Sequence, residues 1–343
     1  MPSSQTLLII GNGFDLQRGL KSHYKDFFAW LRDFKYPQRK DNLWEIHFLH
    51  STFEGDGWVD IEAKIQEILI NNKFSEWKSD VAYNKILIPE TRYIHKVTKN
   101  STGHIDLFDL QIKLNNLDYK WLLYELKVFE NSFCEYIKEQ VEGNGNHLSN
   151  AIDLLGVIAE RDAVQIINFN YTNPFNHLSL RDSSRRERLK KLVCSYHNVH
   201  GTYINKDIIF GVDATAELSR NSGTRIFNKT YRKMFLKDNA RVLPETVNKI
   251  KFYGHSLGEA DYSYFQSIFD SYNLYGEHKH GQVTLQFYFT NGIETMEEAA
   301  DRVHKLITAY GDTLDNKDKG KNLLHKLLLE GRLQIKFIDG INV

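Results

Sequence analysis

Four short polar strings in this chain of 343 residues hold side chains that do chemistry, and each directly follows an apolar run. The first is Gly11-Asn12-Gly13-Phe14-Asp15. Glycines there let backbone amides approach a pyrophosphate, and a helix starting at that point adds its positive end. The second is Asn170-Tyr171-Thr172-Asn173-Pro174, where a polar amide beside an aromatic ring suits recognition of a ribose or an amide. The third is His200-Gly201, a histidine placed to act as a general base. The fourth is Gly254-His255-Ser256-Leu257-Gly258, followed by Glu259 and Asp261, which matches the G-x-S-x-G nucleophile elbow.

Each string also has a purely architectural reading. A glycine pair makes a tight turn, and Leu16 breaks the G-x-G-x-x-G spacing of an ordinary dinucleotide fold. Asn173-Pro174 suits a turn that begins a helix. His200 is one of 14 histidines, most of which are structural in any protein, and His197 three residues earlier faces elsewhere. A serine hydrolase built on Ser256 needs a later acid, for which Asp270 and Asp301 are available, and then a histidine. The tail after residue 337 contains none, and His304 and His325 fall inside expected helices. A turn whose serine and amides touch a ligand is therefore favoured over a nucleophile. Glu259 and Asp261 suffice as carboxylates that complement a helix start. His47 with His50 and His278 with His280 lack companions for a metal, and no Walker A string occurs.

The elements that must position these strings follow from periodicity. Gln5–Ile10 reads as a buried strand running into the glycine turn. Ser22 reads as the N-cap of a helix whose buried face carries Tyr24, Phe27, Phe28, Leu31 and Phe34. Further strands are expected at 164–169, 193–199, 207–210, 249–253, 283–289 and 333–338, with helices at 259–275, 293–310 and 320–331. Strands alternating with helices imply an α/β, Rossmann-like, mostly parallel sheet with its ligand crevice at the strand C-termini. Residues 1–34 with 150–343 form the expected core. Residues 35–149 read as a mainly helical insertion or cap, with Trp58, Ile61, Ile65, Ile68 and Leu69, then Trp121 through Ile137, at helical spacing. The cluster from Arg181 to Lys191 reads as a solvated helix face.

Composition limits the classes. The 44 basic residues balance the 44 acidic ones, so no global field draws the chain to nucleic acid or anionic lipid, and any such site is local. Cys134 and Cys194 cannot supply a disulfide framework or a four-thiolate zinc ribbon. No apolar run nears the roughly 18 residues of a membrane span. Leu7–Ile10 is too short, and lacks the basic leader, for a signal peptide. The expectation is a cytoplasmic protein away from membranes.

Taken in order with Trp58-Val59-Asp60-Ile61-Glu62, the four strings resemble the phage abortive-infection family called AbiH. More distantly, their order is similar to the sirtuin-like domains of bacterial defence proteins. That resemblance implies an anti-phage effector that binds and hydrolyses NAD or a related nucleotide, with no metal. On it, Asn170 and His200 match the catalytic pair. Gly11, Asn12, Gly13, Asp15, Tyr171, Gly254, Ser256 and Asp261 match the nucleotide-binding residues, with Gly11, Gly13 and Ser256 at the phosphates or ribose. It also implies a nucleotide ligand, and is compatible with a phage-derived trigger, a regulatory partner or a homo-oligomer. Asp15 beside phosphates would repel them unless it meets ribose hydroxyls or a metal. The zinc cysteines of sirtuin deacetylases are missing, so deacetylation is not expected. A serine hydrolase, a non-catalytic nucleotide sensor and a nuclease stand as alternatives.

Overall fold

The fold was analysed as a computed structural model that describes residues 6–35, 42, 44–45, 48, 61–71, 119–175, 182–212, 223–236, 241–276 and 282–340. Among them are β1 (Thr6–Ile10), α1 (Asn12–Gln17), α2 (Tyr24–Trp30), α3 (Ile61–Asn71), α4 (Tyr119–Gly143) and α5 (His147–Ala159). β2 (Val164–Asn168), α6 (Ser183–Leu192), β3 (Val193–Asn198), α7 (Lys229–Lys233) and β4 (Lys249–Tyr253) follow. The chain continues with α8 (Tyr262–Ser271), β5 (Thr284–Thr290), α9 (Met296–Thr313), α10 (Lys317–Lys321), α11 (Leu323–Leu329) and β6 (Leu333–Ile338). It divides into two compact units, one of residues 1–22, 137–207 and 238–343, the other of 23–136 and 208–237.

The first unit holds a six-stranded sheet in the order β3-β2-β1-β4-β5-β6, with every pair parallel. Helices cover both faces, which is why the central strand β1 reads as a continuous apolar run rather than an alternation. In β1, Leu7 and Ile9 face one core while Leu8 and Ile10 face the other, all inaccessible to solvent. The first core packs Phe252 and Phe287, stacked with centroids 4.6 Å apart, against Phe265, Phe269, Val303 and Leu327 of the helices. The second packs Ile152, Leu155 and Ile158 of α5 and Leu189 of α6. β3 is an edge strand with Cys194, Ser195 and Tyr196 exposed. The basic cluster lies on α6, where Arg185 and Arg188 pair with Asp153 at the surface.

The second unit is built around aromatic side chains. Phe27 meets Phe133 edge-on at 5.0 Å and Phe129 at 5.6 Å, and Phe210 packs on Phe133 at 5.1 Å. Two buried ion pairs accompany them, Arg232 with Glu130 and Lys229 with Glu62.

Two expected local features differ. Asp207–Phe210 is not a strand: the Phe210 N–H donates to Glu130 Oε1 at 2.7 Å and its carbonyl accepts from Arg232 Nη1, so side chains satisfy the backbone that a ladder would have paired. A buried apolar run does not by itself distinguish a strand from extended chain. Ser22 is not the N-cap of α2; His23 takes that position. The Ser22 hydroxyl instead donates to Asn12 Oδ1 at 2.5 Å, and Asn12 Nδ2 donates back to the Ser22 carbonyl at 3.2 Å. That exchange ties the glycine turn to Ser22 within the first unit. The histidines at 47, 50, 278 and 280, with Trp58 and Asp60, lie outside the described residues.

Candidate functional site

The strand order reverses between β1 and β4, and an open parallel sheet binds its ligand outside the strand C-termini at such a switch point. The segments after β1, β2, β3 and β4 are the four polar strings, so one edge of the first unit collects them. A cavity of about 370 Å³ lined by Arg241, Leu243, Pro244 and Tyr272 lies at the opposite edge, before β4 begins and where α8 ends.

The turn after β1 packs directly on the end of β4. Gly11 N–H donates to the Tyr253 carbonyl at 3.1 Å and Gly13 N–H to the Gly254 carbonyl at 2.7 Å. A Cβ on Gly13 would stand 2.6 Å from Gly254 Cα, and one on Gly11 would stand 2.7 Å from His255 Cα. Here the glycines serve close approach of two backbones, and their amides bond within the protein.

Asp15 is buried, but it is not a bare anion. Arg18, one turn on, places Nε and Nη2 each 2.9 Å from its Oδ1, and the Thr172 hydroxyl donates to Oδ2 at 2.8 Å. The repulsion expected of a lone carboxylate beside phosphates is thereby neutralised. Tyr203 lies within reach of both charges; burial pushes its phenol pKa up, against the pull of Arg18.

Asn170 is 5% exposed and held on three sides. Its N–H donates to Asn168 Oδ1 at 3.0 Å, its Nδ2 to the Gly11 carbonyl at 2.9 Å, and its carbonyl accepts from Asn198 Nδ2 at 2.8 Å. The amide oxygen remains as its acceptor. Tyr171 is half-buried, with its carbonyl accepting from the Tyr203 N–H at 3.0 Å. Pro174 occupies a turn, with no helix starting there among the described residues.

His200 follows β3, turned by Gly201 at φ +80°, a left-handed conformation that favours glycine. His200 Nε2 lies 3.0 Å from Asp261 Oδ1, and His255 Nε2 lies 3.3 Å from Asp261 Oδ2. His255 Nδ1 accepts the Leu257 N–H at 2.9 Å, which puts the His255 hydrogen on Nε2, facing the carboxylate. Phe169 meets both rings edge-on, at 5.5 Å for His200 and 4.7 Å for His255. One carboxylate thus orients two buried imidazoles, an arrangement suited to holding a histidine in one tautomer for proton transfer.

Ser256 is exposed, and its hydroxyl oxygen accepts only the Gly258 N–H, at 3.4 Å, among the described residues. The left-handed residues of the motif are Gly254, at φ 64°, and Leu257, at φ 58°, and helix α8 begins only at Tyr262. An elbow instead strains the serine itself, immediately before its helix. Among the described residues no group of three His, Cys, Asp or Glu side chains is placed to hold a metal, and no helix is long and apolar enough to cross a membrane.

The structure brings Asn170, His200, Asp261 and the two glycine turns to one sheet edge, and adds Arg18, Thr172 and His255. Arg18 was detectable as a countercharge three residues from Asp15 on a helix. His255 stood in the motif itself but had no sequence signal tying it to Asp261.

No match to the chain was found among curated proteins or among solved structures. A family model described as bacteriophage abortive infection AbiH matches residues 7–278, which span all four polar strings. The chain therefore belongs to the AbiH family, whose role is in the abortive infection response to bacteriophage.

Proposed function

We propose that the strand C-terminal crevice binds NAD or a related nucleotide and hydrolyses its N-glycosidic bond, so that abortive infection proceeds by loss of that nucleotide. The observation that carries this reading is the Asp261 carboxylate shared by His200 and His255 beside Asn170. Asp261 orients the His200 imidazole through Nε2. Water attacks the anomeric carbon of the ribose and gives its proton to that imidazole. The bond to nicotinamide breaks with its electron pair moving onto the ring nitrogen, which discharges the pyridinium. ADP-ribose, nicotinamide and a proton result. The Asn170 amide oxygen accepts from a ribose hydroxyl while Nδ2 anchors on Gly11.

In this reading Gly11, Gly13 and Gly254 shape the crevice, and Asn12 braces the turn through Ser22. Tyr171 and Ser256, half-buried and exposed, are offered to the ligand. The likeness to sirtuin-like defence domains supports NAD by analogy of fold alone. The serine-hydrolase alternative is weakened by the geometry, because among the described residues the Ser256 hydroxyl bonds only the Gly258 N–H, and both ring nitrogens of the neighbouring His255 are engaged, by the Leu257 N–H and by Asp261.

The test is incubation of purified protein with NAD, followed by chromatography for free nicotinamide, with His200→Gln in parallel. Removing a general base lowers the rate by about 10²–10⁴-fold. Equal release by both proteins would remove His200 from the chemistry. Intact NAD recovered from a tight complex would replace hydrolysis by sensing.

A further inference from the structure

The Arg18 guanidinium is sealed inside the first unit, at 0% exposure, yet only part of its fork is used. Nε donates to Asp15 Oδ1 at 2.9 Å, and Nη2 touches the same oxygen without hydrogen-bond alignment. Asp15 Oδ2 is occupied by the Thr172 hydroxyl. Nη1 is buried with no acceptor among the described residues, and Nη2 has only this ion-pair contact with Asp15. Buried donors are almost always satisfied, and a guanidinium left short of acceptors is the costliest exception. The side chains that bond around this turn act there as donors: Asn144 Nδ2 and Asn150 Nδ2 to the Gly19 and Arg18 carbonyls, and the Thr172 hydroxyl to Asp15.

We propose that Arg18 is the seat of an oxyanion on the bound ligand, the phosphoryl group of a nucleotide. The inference rests on the nucleotide reading above and names the group that anchors the ligand. A planar fork with parallel N–H bonds matches a phosphoryl group in bidentate fashion. Asp15 does not oppose this: it fixes the guanidinium plane through Nε and Nη2, and leaves Nη1 with the outer Nη2 hydrogen, both enclosed here, to be uncovered when the ligand binds. Continuity with the chemistry runs through short chain. Thr172 lies two residues from Asn170, and Tyr203, three residues from His200, lies within the field of Arg18.

The experiment is calorimetric titration of the full chain with AMP, adenosine and inorganic phosphate. Three proteins are compared: wild type, Arg18→Lys, and the Asp15→Asn/Arg18→Gln pair. The double change removes both charges together, so no uncompensated charge stays buried, and circular dichroism with thermal melting confirms folding. Wild type is expected to bind AMP at least about tenfold tighter than adenosine, the worth of one charge-assisted contact. That advantage shrinks in Arg18→Lys, which keeps the charge without the fork, and vanishes in the double variant. An equal affinity of wild type for AMP and adenosine overturns the proposal, as does binding of neither. So does an AMP advantage that persists in the double variant. Inorganic phosphate binding as tightly as AMP, and lost in the double variant, overturns the nucleotide source of the oxyanion. AMP has no nicotinamide to release, so these outcomes stand apart from the success or failure of NAD hydrolysis.

Discussion

Replacing Gly13 by alanine separates two roles for the glycine turn. If the glycines serve close packing, a methyl group at position 13 must displace the end of β4. The added Cβ would stand 2.6 Å from Gly254 Cα and 3.1 Å from the Gly254 carbonyl oxygen. Carbon atoms are at ease about 3.5–4.0 Å apart, so the two turns must part by roughly 1 Å. That movement stretches the 2.7 Å bond from Gly13 N–H to the Gly254 carbonyl. Overpacking of this kind costs about 1–3 kcal/mol and the weakened bond about 0.5–1.5 kcal/mol. Against this, alanine restricts the unfolded chain and returns about 0.4–1 kcal/mol. The net loss is about 0.5–4 kcal/mol, read as a fall in the urea midpoint at an unchanged slope. Gly143, at the end of α4 with nothing within 4 Å of its added Cβ, is the control, and Gly143→Ala loses no stability. A Gly13→Ala protein as stable as wild type would refute the packing argument and return the turn to direct ligand binding.

Asp261→Asn keeps the shape between the two imidazoles and removes the charge; NAD hydrolysis should fall about 10²–10⁴-fold with folding intact, and an unchanged rate would detach Asp261 from His200. In the second unit, Arg232→Ala strands the buried Glu130 carboxylate and should lower stability by about 3–5 kcal/mol in denaturant titration, whereas a loss under 1 kcal/mol, about the worth of a surface pair, would show that this pair is solvated. At the far end of the sheet, burial raises the Asp162 pKa but bonds from Lys249 and Thr6, with the nearby Lys251 charge, outweigh it and hold the carboxyl below its ordinary value. A depressed carboxylate stabilises the fold above its unfolded pKa of about 4 and loses that contribution as pH falls through the lower folded value, so the melting temperature of wild type should drop below about pH 4 more steeply than that of Asp162→Asn. Parallel curves for the two proteins would contradict the shift. A fluorophosphonate probe should leave Ser256 unmodified, and labelling that disappears in Ser256→Ala would restore the hydrolase reading.

The sheet was legible because a strand covered on both faces is mostly apolar: Leu7–Ile10, Ile166–Ile167 and Phe287–Phe289 could be read without alternation to guide them. The same logic misled at Ile208–Phe210, which is buried but has its backbone satisfied by Glu130 and Arg232 rather than by a neighbouring strand. The site was legible as a set of strand ends and not as a constellation. His200 and Asp261 are 61 positions apart, so only the sheet order brings them together. His255 reaches the same carboxylate because Leu257 takes a left-handed turn, a conformation that leucine does not announce in sequence. Arg18 stands at helical spacing from Asp15 in the sequence, but that spacing does not show that the pair is buried together.

The central claim is that the His200–Asp261 pair empties the cell of a nucleotide during infection. The direct measurement is mass-spectrometric quantification of NAD, nicotinamide and ADP-ribose in phage-challenged cells that express wild type or His200→Gln at equal levels. NAD that falls with wild type alone, while nicotinamide and ADP-ribose rise together, is the predicted result. Cells that arrest on infection with NAD unchanged, or that lose NAD equally with His200→Gln, would contradict it.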